Sequence, residues 1–590
     1  MRLRLASVVG MKYVRPFAST SSDSLAIAQV VVRRFAATTN LLIAGRSFAI
    51  LTSASASSPL WCEVYEALGS LLSGFGAHVR FVNSVDEATA DAVVVLPEEA
   101  DEQSLGHISV VVGVNEAPVV RVNPSQVGMY VNVDEEPDVR QVPPHVQVLD
   151  SDGKLLRDPY DPKNDASYAQ RRLAWARSFM PVTRATVSDL VATGVLQGRH
   201  VGLALVLEPK TAVLALLLKE AGATVSVFGH ADETRDDVAD QLRAAGLAVF
   251  AESSATPERE EELARQFLTS GIEFLLDDGS HLIRMAHDET RAPDALTTLK
   301  GAAEETTSGI RPLRGFPLRI PVMASNDARS KTLFDNAYAT GQSCLLTSLD
   351  LVDPQLQGVP LWDQRFVVVG YGDVGMGGAR FARACGALVT VVELNPVREL
   401  RARMDGFQTA SLLDACANAD WVMSATGERD TITLEALAAM PDACVVTVSG
   451  GVTDEVALSE ALKAGWTWAD SDDRAVGLLC VPTTATDPAL PGSAQGNEAA
   501  HRHITILDKG GCINCTAGEG NAIEIMDMSF AVQVSSLREL LMHENPTHDP
   551  LPAGLHSLPE DADNLVARRT LDLQWTTEPQ PTSFAKETHV

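Results

Sequence analysis

No stretch of this 590-residue chain approaches the ~20 consecutive apolar residues that a membrane-spanning helix needs, so no transmembrane segment is expected. Positive charge is scarce as well. Lys and Arg number 47 against 77 Asp and Glu, and the formal net charge of -30 repels nucleic acid and anionic membranes at long range. The expected partner is therefore a small molecule, with no nucleic acid and no membrane. Cysteine is sparse: eight residues scattered along the chain read as reduced core positions rather than a disulfide framework. The one close pair, Cys512-x-x-Cys515, has no second pair and no histidines at ligand spacing, so it reads as structural and no metal is expected. Residues 1–22 hold four Lys or Arg and no acid, which leaves a targeting peptide and a disordered arm both open. No clear cleavage pattern follows them, and the assignment is cytoplasmic.

What the chain does have is Val367-Val-Val-Gly-Tyr-Gly-Asp-Val-Gly-Met-Gly-Gly378, with G-x-G-x-x-G at Gly370, Gly372 and Gly375 and with Asp373 and Val374 inside it. Phe366–Val369 reads as a buried strand, residues 379–386 as a helix, and Leu388–Val392 as a second strand ending at Glu393, 18 residues past the third glycine. This context separates a dinucleotide site from a mere glycine-rich turn. The glycines let a pyrophosphate reach the helix N-terminus, and Glu393 can accept from a ribose 2′-hydroxyl. NAD is expected rather than NADP, because the carboxylate repels a 2′-phosphate, although Arg398 and Arg401 lie nearby.

The length suggests roughly three to four domains at about 150 residues each. Residues 1–150 read as a small α/β domain, with strands at Phe48–Leu51, Val79–Val82, Ala92–Leu96 and Ile108–Val114, and with a helix at Trp61–Ser73. Its segment 46–83 has the strand, helix, Gly-Ala, strand layout of 199–229, the pattern of a degenerate duplication. Residues 137–164, rich in Pro, Asp and Val, read as a linker. From about 167 strands and helices alternate, as a parallel sheet requires: strands at His200–Leu207, Thr224–Phe228, Ala248–Phe250 and Phe274–Leu276, helices at Thr211–Glu220, Asp237–Ala245 and Glu258–Thr269. The domains are expected at 165–344 (substrate), 345–521 (Rossmann) and 522–590 (a return helix and a tail). Within them 482–497 reads as a loop and the last 45 or so residues as extended or partly disordered.

At Leu275-Leu-Asp-Asp-Gly279, Glu304-Glu-Thr-Thr-Ser-Gly309, Asn326-Asp-Ala-Arg-Ser-Lys-Thr-Leu-Phe-Asp-Asn336 and Gly370-Tyr-Gly-Asp-Val-Gly375 the chain resembles S-adenosylhomocysteine hydrolases, over about 167–541. The resemblance implies two doubly wound α/β domains, one for substrate and one for NAD, besides the N-terminal α/β domain. In that family a ribose 3′-hydroxyl is oxidised with NAD as hydride acceptor, the C4′ proton becomes acidic, the C5′ substituent leaves, water adds, and C3′ is reduced again. The resemblance assigns the 3′-hydroxyl proton to Lys331 and Asp335, assistance at C4′ and C5′ to Asp278, the ribose hydroxyls to Glu305, and the border of the nicotinamide to Asn336. It places Thr306, Thr307, Ser308, Thr426 and Asn514 around NAD, and Thr211 at the nucleobase with Glu208 and Lys210, which stand where the family has a threonine and the glutamate that helps hold adenine. It also implies a homo-oligomer, dimer or tetramer. Without it, Lys331 and Asp335 at i, i+4 would be an ordinary helical ion pair.

The departures from the family pattern are selective. Val206 and Gly451 stand where the family has histidines, and Gly520-Asn-Ala522 replaces its G-H-P. Met376, Thr340 and Arg398 replace its lysine, cysteine and asparagine, and the K-P-x-x-Y-R-Y tail is absent. The groups for C3′ and C4′ remain while those for C5′ and homocysteine are lost. The leading expectation is a NAD-dependent nucleoside lyase that oxidises, eliminates and reduces without hydration, the logic that would give angustmycin A from psicofuranine. One alternative is a hydrolase with relocated acid and base groups, His281 or His287 substituting. The other is an inactive NAD-binding regulatory module.

Overall fold

A computed structural model describes residues 20–51, 59–83, 90–95, 119–123, 145–149, 155–156, 167–354, 361–452, 454–470, 475–482, 502–544 and 549–575. The chain divides into two compact units, Met1–Ala166 with Leu333–Ala522, and Ser167–Thr332 with Ile523–Val590. Each is an α/β structure built on parallel strands.

The first unit contains two sheets. One comprises β1 (Ser47–Leu51), β2 (His78–Val82), β3 (Ala92–Val95), β4 (Val119–Asn123), β5 (His145–Leu149) and β6 (Leu155–Leu156), in the order β2-β1-β3-β4-β5-β6. β5 and β6 join it antiparallel. They lie inside the stretch expected to be a linker, and the correction has a plain cause: His145-Val-Gln-Val-Leu149 alternates with period two, as a strand does, but is obscured by the flanking prolines. The strand expected at 108–114 and most of the loop expected at 482–497 lie outside the described residues. The strand–helix–strand layout shared by 46–83 and 199–229 reflects the βαβ unit itself. The same backbone bond ends the helix before the next strand in all three sheets, Ala77 N to Leu72 O, Ala223 N to Leu218 O and Ala387 N to Ala382 O.

Helix Thr20–Thr39 packs on helix Thr340–Val352, and helix Pro59–Gly74 on helix Asp373–Ala384. Arg33, 1% exposed, pairs with Asp350 at 2.7 Å and Asp353 at 2.9 Å and also donates to the carbonyls of Leu349 and Asp353. The Phe75 and Phe381 rings stack with centroids 4.8 Å apart. The N-terminal layer and these two helices thus belong to one compact unit.

β7 (His200–Ala204), β8 (Thr224–Phe228), β9 (Ala248–Phe250), β10 (Phe274–Asp277), β11 (Gly301–Glu304) and β12 (Pro321–Ala324) build the second unit, in an all-parallel sheet completed by β21 (Gly554–Ser557), in the order β21-β12-β11-β10-β7-β8-β9. Val201, Leu203, Val227, Leu275, Leu276 and Val322 are fully or nearly fully buried, as a sheet covered on both faces requires. The C-terminal residues are more ordered than expected, since β21 pairs with β12 and is followed by helix Glu560–Leu573. Pro559 and the acids of the first helical turn were a readable start signal. The Asp527 carboxylate accepts from Val182 N at 2.9 Å and Thr183 N at 2.6 Å, satisfying open donors of helix Pro181–Thr193, whose own N-cap residue supplies no side chain.

The third sheet belongs to the first unit: β13 (Arg365–Val369), β14 (Leu388–Val392), β15 (Gln408–Thr409), β16 (Trp421–Ser424), β17 (Val445–Val448), β18 (Thr467–Asp470), β19 (Val476–Val481) and β20 (Arg502–Leu507), in the order β15-β14-β13-β16-β17-β20-β19-β18. Strand order reverses between β13 and β16 here and between β7 and β10 in the second unit. Open α/β sheets bind ligands beyond the carboxyl ends of their strands at such reversals.

Candidate active site

At the β13–β16 reversal the chain leaves β13 through Gly370, whose φ of +93° suits only glycine, and turns into helix Asp373–Ala384. A Cβ on Gly375 would lie 1.9 Å from the Gly370 carbonyl, so the helix sits against the turn as closely as backbone permits. At Gly372 no atom lies within 4 Å of where a Cβ would point, and no side chain caps the helix that begins with Asp373 and Val374. Glu393, just past β14, accepts from Tyr371 N at 2.7 Å and Asn395 N at 2.8 Å, which fixes its carboxylate beside the turn. The donor set and the uncovered glycine fit a dinucleotide with a free 2′-hydroxyl.

Thr426, past β16, shares its hydroxyl with Thr431 at 2.8 Å and with Glu455 at 3.1 Å. Sequence reasoning missed Glu455. It is buried and also accepts from Ser424 Oγ at 2.5 Å and Gly427 N at 3.1 Å, and burial pushes its carboxyl above the ordinary range. Asp335 and Asn336 open a π-helical turn, Asp335–Ala339, a feature frequent at functional sites. Asn521 lies at a position counted as a loss, yet it ties this region together. Its Nδ2 donates to Asp335 Oδ1 at 2.8 Å and to Thr340 Oγ1 at 3.0 Å, and its Oδ1 accepts from Asn514 Nδ2 at 2.8 Å and Ser343 Oγ at 2.9 Å.

In the second unit the expected residues follow successive strand ends. Asp278 follows β10, Glu305 follows β11, and Lys331, 2% exposed, lies in the short helix Arg329–Thr332 beyond β12. That helix ends before the π turn, so Lys331 and Asp335 do not share a continuous helix. Its N-terminus is held by Asp563, which accepts from Arg329 N at 2.8 Å and Ser330 N at 3.0 Å. Glu305 accepts from Ser529 Oγ at 2.9 Å. Thr306 caps helix Thr307–Leu313, Ser308 Oγ donates to Thr306 Oγ1 at 3.2 Å, and Thr307 Oγ1 donates to Asn326 Oδ1 at 3.2 Å.

Beneath this row Glu304 accepts from Gly279 N, Ser280 N and Thr306 N at 2.8–3.0 Å. Asp277 accepts from Ile283 N at 2.8 Å, while its Oδ1 has no hydrogen-bond partner. Burial, then the neighbouring charge of Asp278, pushes Asp277 up to about 7. Glu304 is raised well above the usual carboxylate range by burial and by Asp277 and Asp278.

Glu208, past β7, and Lys210 are both buried and form an ion pair at 2.8 Å. Glu208 also caps helix Pro209–Glu220 through Lys210 N at 3.0 Å. Thr211 Oγ1 donates to Val206 O at 2.6 Å, which commits its proton to the backbone.

A second feature escaped sequence reasoning. His230, past β8, hydrogen-bonds through Nδ1 to Glu260 at 2.9 Å and lies 3.4 Å through Nε2 from Nδ1 of His281. The turn that carries Glu233 is stitched to the chain beyond β7, with Leu207 N donating to Glu233 O and Arg235 N to Leu207 O, both at 3.0 Å. Asp278 N donates to Ala204 O at 2.9 Å, on the same strand end. Burial opposes a charged His230, but Glu260, Glu233 and Asp232 overcome it and raise the imidazole to about 9. Burial, then Asp278, raises Glu233 to about 8, and burial, then the His230 charge, lowers His281 to about 4. The signal was there in Gly229-His-Ala-Asp-Glu233, chemistry-bearing residues directly after a strand. His287 is spent on structure, its Nδ1 bonded to Ile283 O at 2.8 Å and its Nε2 accepting from Arg319 N at 2.9 Å. Cys512 and Cys515 both donate to Asn514 Oδ1, and among the described residues no cluster suits a metal ion.

Residues 357–473 match the family described as S-adenosyl-L-homocysteine hydrolase, NAD binding domain. An adenosylhomocysteinase from Thermotoga maritima is 32% identical over 408 residues, covering 68% of this chain and 94% of that protein. An S-inosyl-L-homocysteine hydrolase from Methanothermobacter thermautotrophicus is 35% identical over 414 residues, covering 69% of this chain and 92% of its own length. Identity at this level across almost the whole of both relatives, on strand ends that carry the expected groups, makes the chain a member of the S-adenosyl-L-homocysteine hydrolase family, with NAD as its cofactor.

Proposed function

We propose that this enzyme oxidises the 3′-hydroxyl of a purine nucleoside, eliminates the C5′ substituent, and reduces C3′ again, releasing a 4′,5′-unsaturated nucleoside; with hydroxyl as leaving group it is a dehydratase. NAD supplies the hydride acceptor and donor at C3′. Lys331, fixed through the helix that Asp563 caps, takes the 3′-hydroxyl proton together with Asp335. Glu305, oriented by Ser529, holds the ribose hydroxyls, and Asp278 receives the C4′ proton. The observation that carries this reading is selective replacement. These groups are all present, while Val206 and Gly451 occupy the two positions at which family members carry proton-transferring histidines. A general acid or base contributes about 10²- to 10⁴-fold, so water addition is the step expected to slow.

Lys210 and Glu208 support a 6-oxopurine base. An ammonium donor suits O6 and a carboxylate suits N1–H, whereas adenine presents the opposite pattern at both atoms. The name of the S-inosyl relative points the same way. A second reading, a hydrolase with relocated acid and base groups, is favoured by the contact of His230 with Glu260 and His281. Mass spectrometry of products from inosine, adenosine, psicofuranine and S-inosylhomocysteine separates them. Loss of one water from a nucleoside supports the dehydratase, and release of homocysteine at ordinary enzymatic rates refutes it.

A further inference from the structure

We propose that the N-terminal layer is a positioning element for hydride transfer: the loop 40–43 holds Gln342, and Gln342 sets the first turn of helix Thr340–Val352, which in turn orients Asn521 on the Asp335 carboxylate. This rests on the C3′ oxidation proposed above, in which Asp335 shares the 3′-hydroxyl proton.

Helix Thr20–Thr39 stops at Asn40, which takes a left-handed conformation (φ +52°) that asparagine tolerates better than most residues, and whose N–H still donates to Ala36 O at 2.9 Å. The next three residues, Leu41, Leu42 and Ile43, are apolar and buried, so their backbone polar groups need partners inside the protein. Gln342, itself buried, meets two of those needs. Its Oε1 accepts from Ile43 N at 2.9 Å and its Nε2 donates to Leu41 O at 3.0 Å, so one side-chain amide pairs with this loop as a strand neighbour would. Asn40 Nδ2 adds a longer bond, at 3.4 Å, to Gly520 O, the carbonyl directly before Asn521.

The residues on either side of Gln342 face the candidate site. A Cβ on Gly341 would lie 2.8 Å from the Gly377 backbone, so that position rests directly on the nucleotide helix. Thr340 Oγ1 accepts from Asn521 Nδ2 at 3.0 Å, and Ser343 Oγ donates to Asn521 Oδ1 at 2.9 Å. Both hydroxyls thus belong to the turn that Gln342 anchors. The same Nδ2 donates to Asp335 Oδ1 at 2.8 Å, and Asp335 opens the π turn that runs straight into Thr340. Every link from the loop to the carboxylate is therefore a hydrogen bond or a peptide neighbour. With donors on its oxygen and acceptors at its nitrogen, the Asn521 amide has a single orientation, which keeps an N–H on Asp335. Shifting the first turn of the helix disturbs these bonds together, because they share one amide.

The test uses Gln342→Met, Asn40→Gly and Gln29→Met in the full-length NAD-loaded protein, with inosine and psicofuranine as probes. Methionine nearly fills the glutamine's volume and removes both amide bonds. Asn40→Gly suits the left-handed backbone and drops only the bond to Gly520. Gln29→Met removes a matched buried amide of the same layer, one that donates to Cys385 O at 3.4 Å just past the C-terminal end of the nucleotide helix. In single-turnover absorbance the amplitude counts molecules that are folded and hold NAD, whereas the rate constant reports the geometry of hydride transfer. Gln342→Met should lower the rate constant about tenfold or more, since a 1 Å misplacement can cost about 10²-fold, while amplitude and NAD content stay within about twofold of wild type. Asn40→Gly should lower it about threefold, and Gln29→Met by less than about twofold. Asn521→Leu, alone and combined with Gln342→Met, tests the connection: residues acting in series give a double variant no more than about threefold slower than the slower single one. A Gln342→Met rate constant within about twofold of wild type, a loss confined to amplitude, equal slowing in Gln29→Met, or losses that multiply in the double variant each overturn the positioning role. Should Gln342→Met not fold, Asn40→Gly decides, and an unchanged rate constant there overturns it. A wild type with no NADH transient overturns the C3′ oxidation itself, so the two failures are told apart.

Discussion

Gly377→Ala tests whether the nucleotide helix and the π turn are packed as tightly as the structure shows. A Cβ at Gly377 would lie 1.9 Å from the Ala337 carbonyl oxygen, whereas real Cβ contacts essentially never fall below 3.0 Å, so backbone must yield by about 1 Å. Neither neighbour has a flexible end. Ala337 is the middle of the turn that begins with Asp335 and Asn336, and Gly377 lies in the helix that follows the glycine fingerprint. Overpacking of this kind typically costs about 1–3 kcal/mol, and a 1 Å misplacement of reacting groups can cost about 10²-fold in rate. The variant should melt at lower temperature and either lose NAD on gel filtration, if the helix moves, or retain NAD and transfer the first hydride about 100-fold more slowly, if the turn moves. Calorimetry, NAD content of the purified protein and stopped-flow absorbance read the three quantities. Wild-type values for all of them would show that the two elements are not in contact as described.

Glu393→Arg should shift preference toward NADP, because the carboxylate held by Tyr371 N and Asn395 N is the expected 2′-hydroxyl acceptor; stoichiometric NADP recovered from the wild type would refute this. Lys331→Ala should abolish the first hydride transfer while NAD stays bound, since the lysine and the nucleotide cradle belong to different units; a normal transient would remove Lys331 from the mechanism. Asp277 and Asp527 have carboxyls raised to about 7 and about 6, chiefly by burial. A raised carboxyl stabilises the fold below its unfolded pKa and loses that contribution as pH rises through its folded value. Asp277→Asn should therefore gain stability relative to wild type as pH rises from 5 to 8 in denaturant melts; an unchanged difference across that range would mean that the folded-state carboxyl is not raised into it.

Parallel strands were the most legible part of the fold. Thr224–Phe228 and Ala248–Phe250 are short runs rich in β-branched or aromatic residues, each opening just after a glycine turn, and the structure begins and ends them where the sequence does. Antiparallel β5 and β6 were obscured because prolines outweigh a short alternation, and the C-terminal helix because only part of one face is apolar. The glycine fingerprint could be read because its function depends on backbone shape, which few sequences satisfy. Glu455 and Asn521 could not, since each acts through a partner far along the chain: Ser424 and Asp335. Tertiary bonds of this kind leave no periodic trace.

The Arg33 anchorage has a consequence for assembly. Helices Thr340–Val352 and Asp373–Ala384 already have a tethered neighbour in the N-terminal layer, and a tethered contact enjoys an effective concentration in the millimolar range for short linkers. A second copy competing for that face would have to displace a permanent occupant. Any contact with a second copy has to use another surface, and Leu394, Val397, Leu400 and Met404 are exposed apolar side chains away from those two helices.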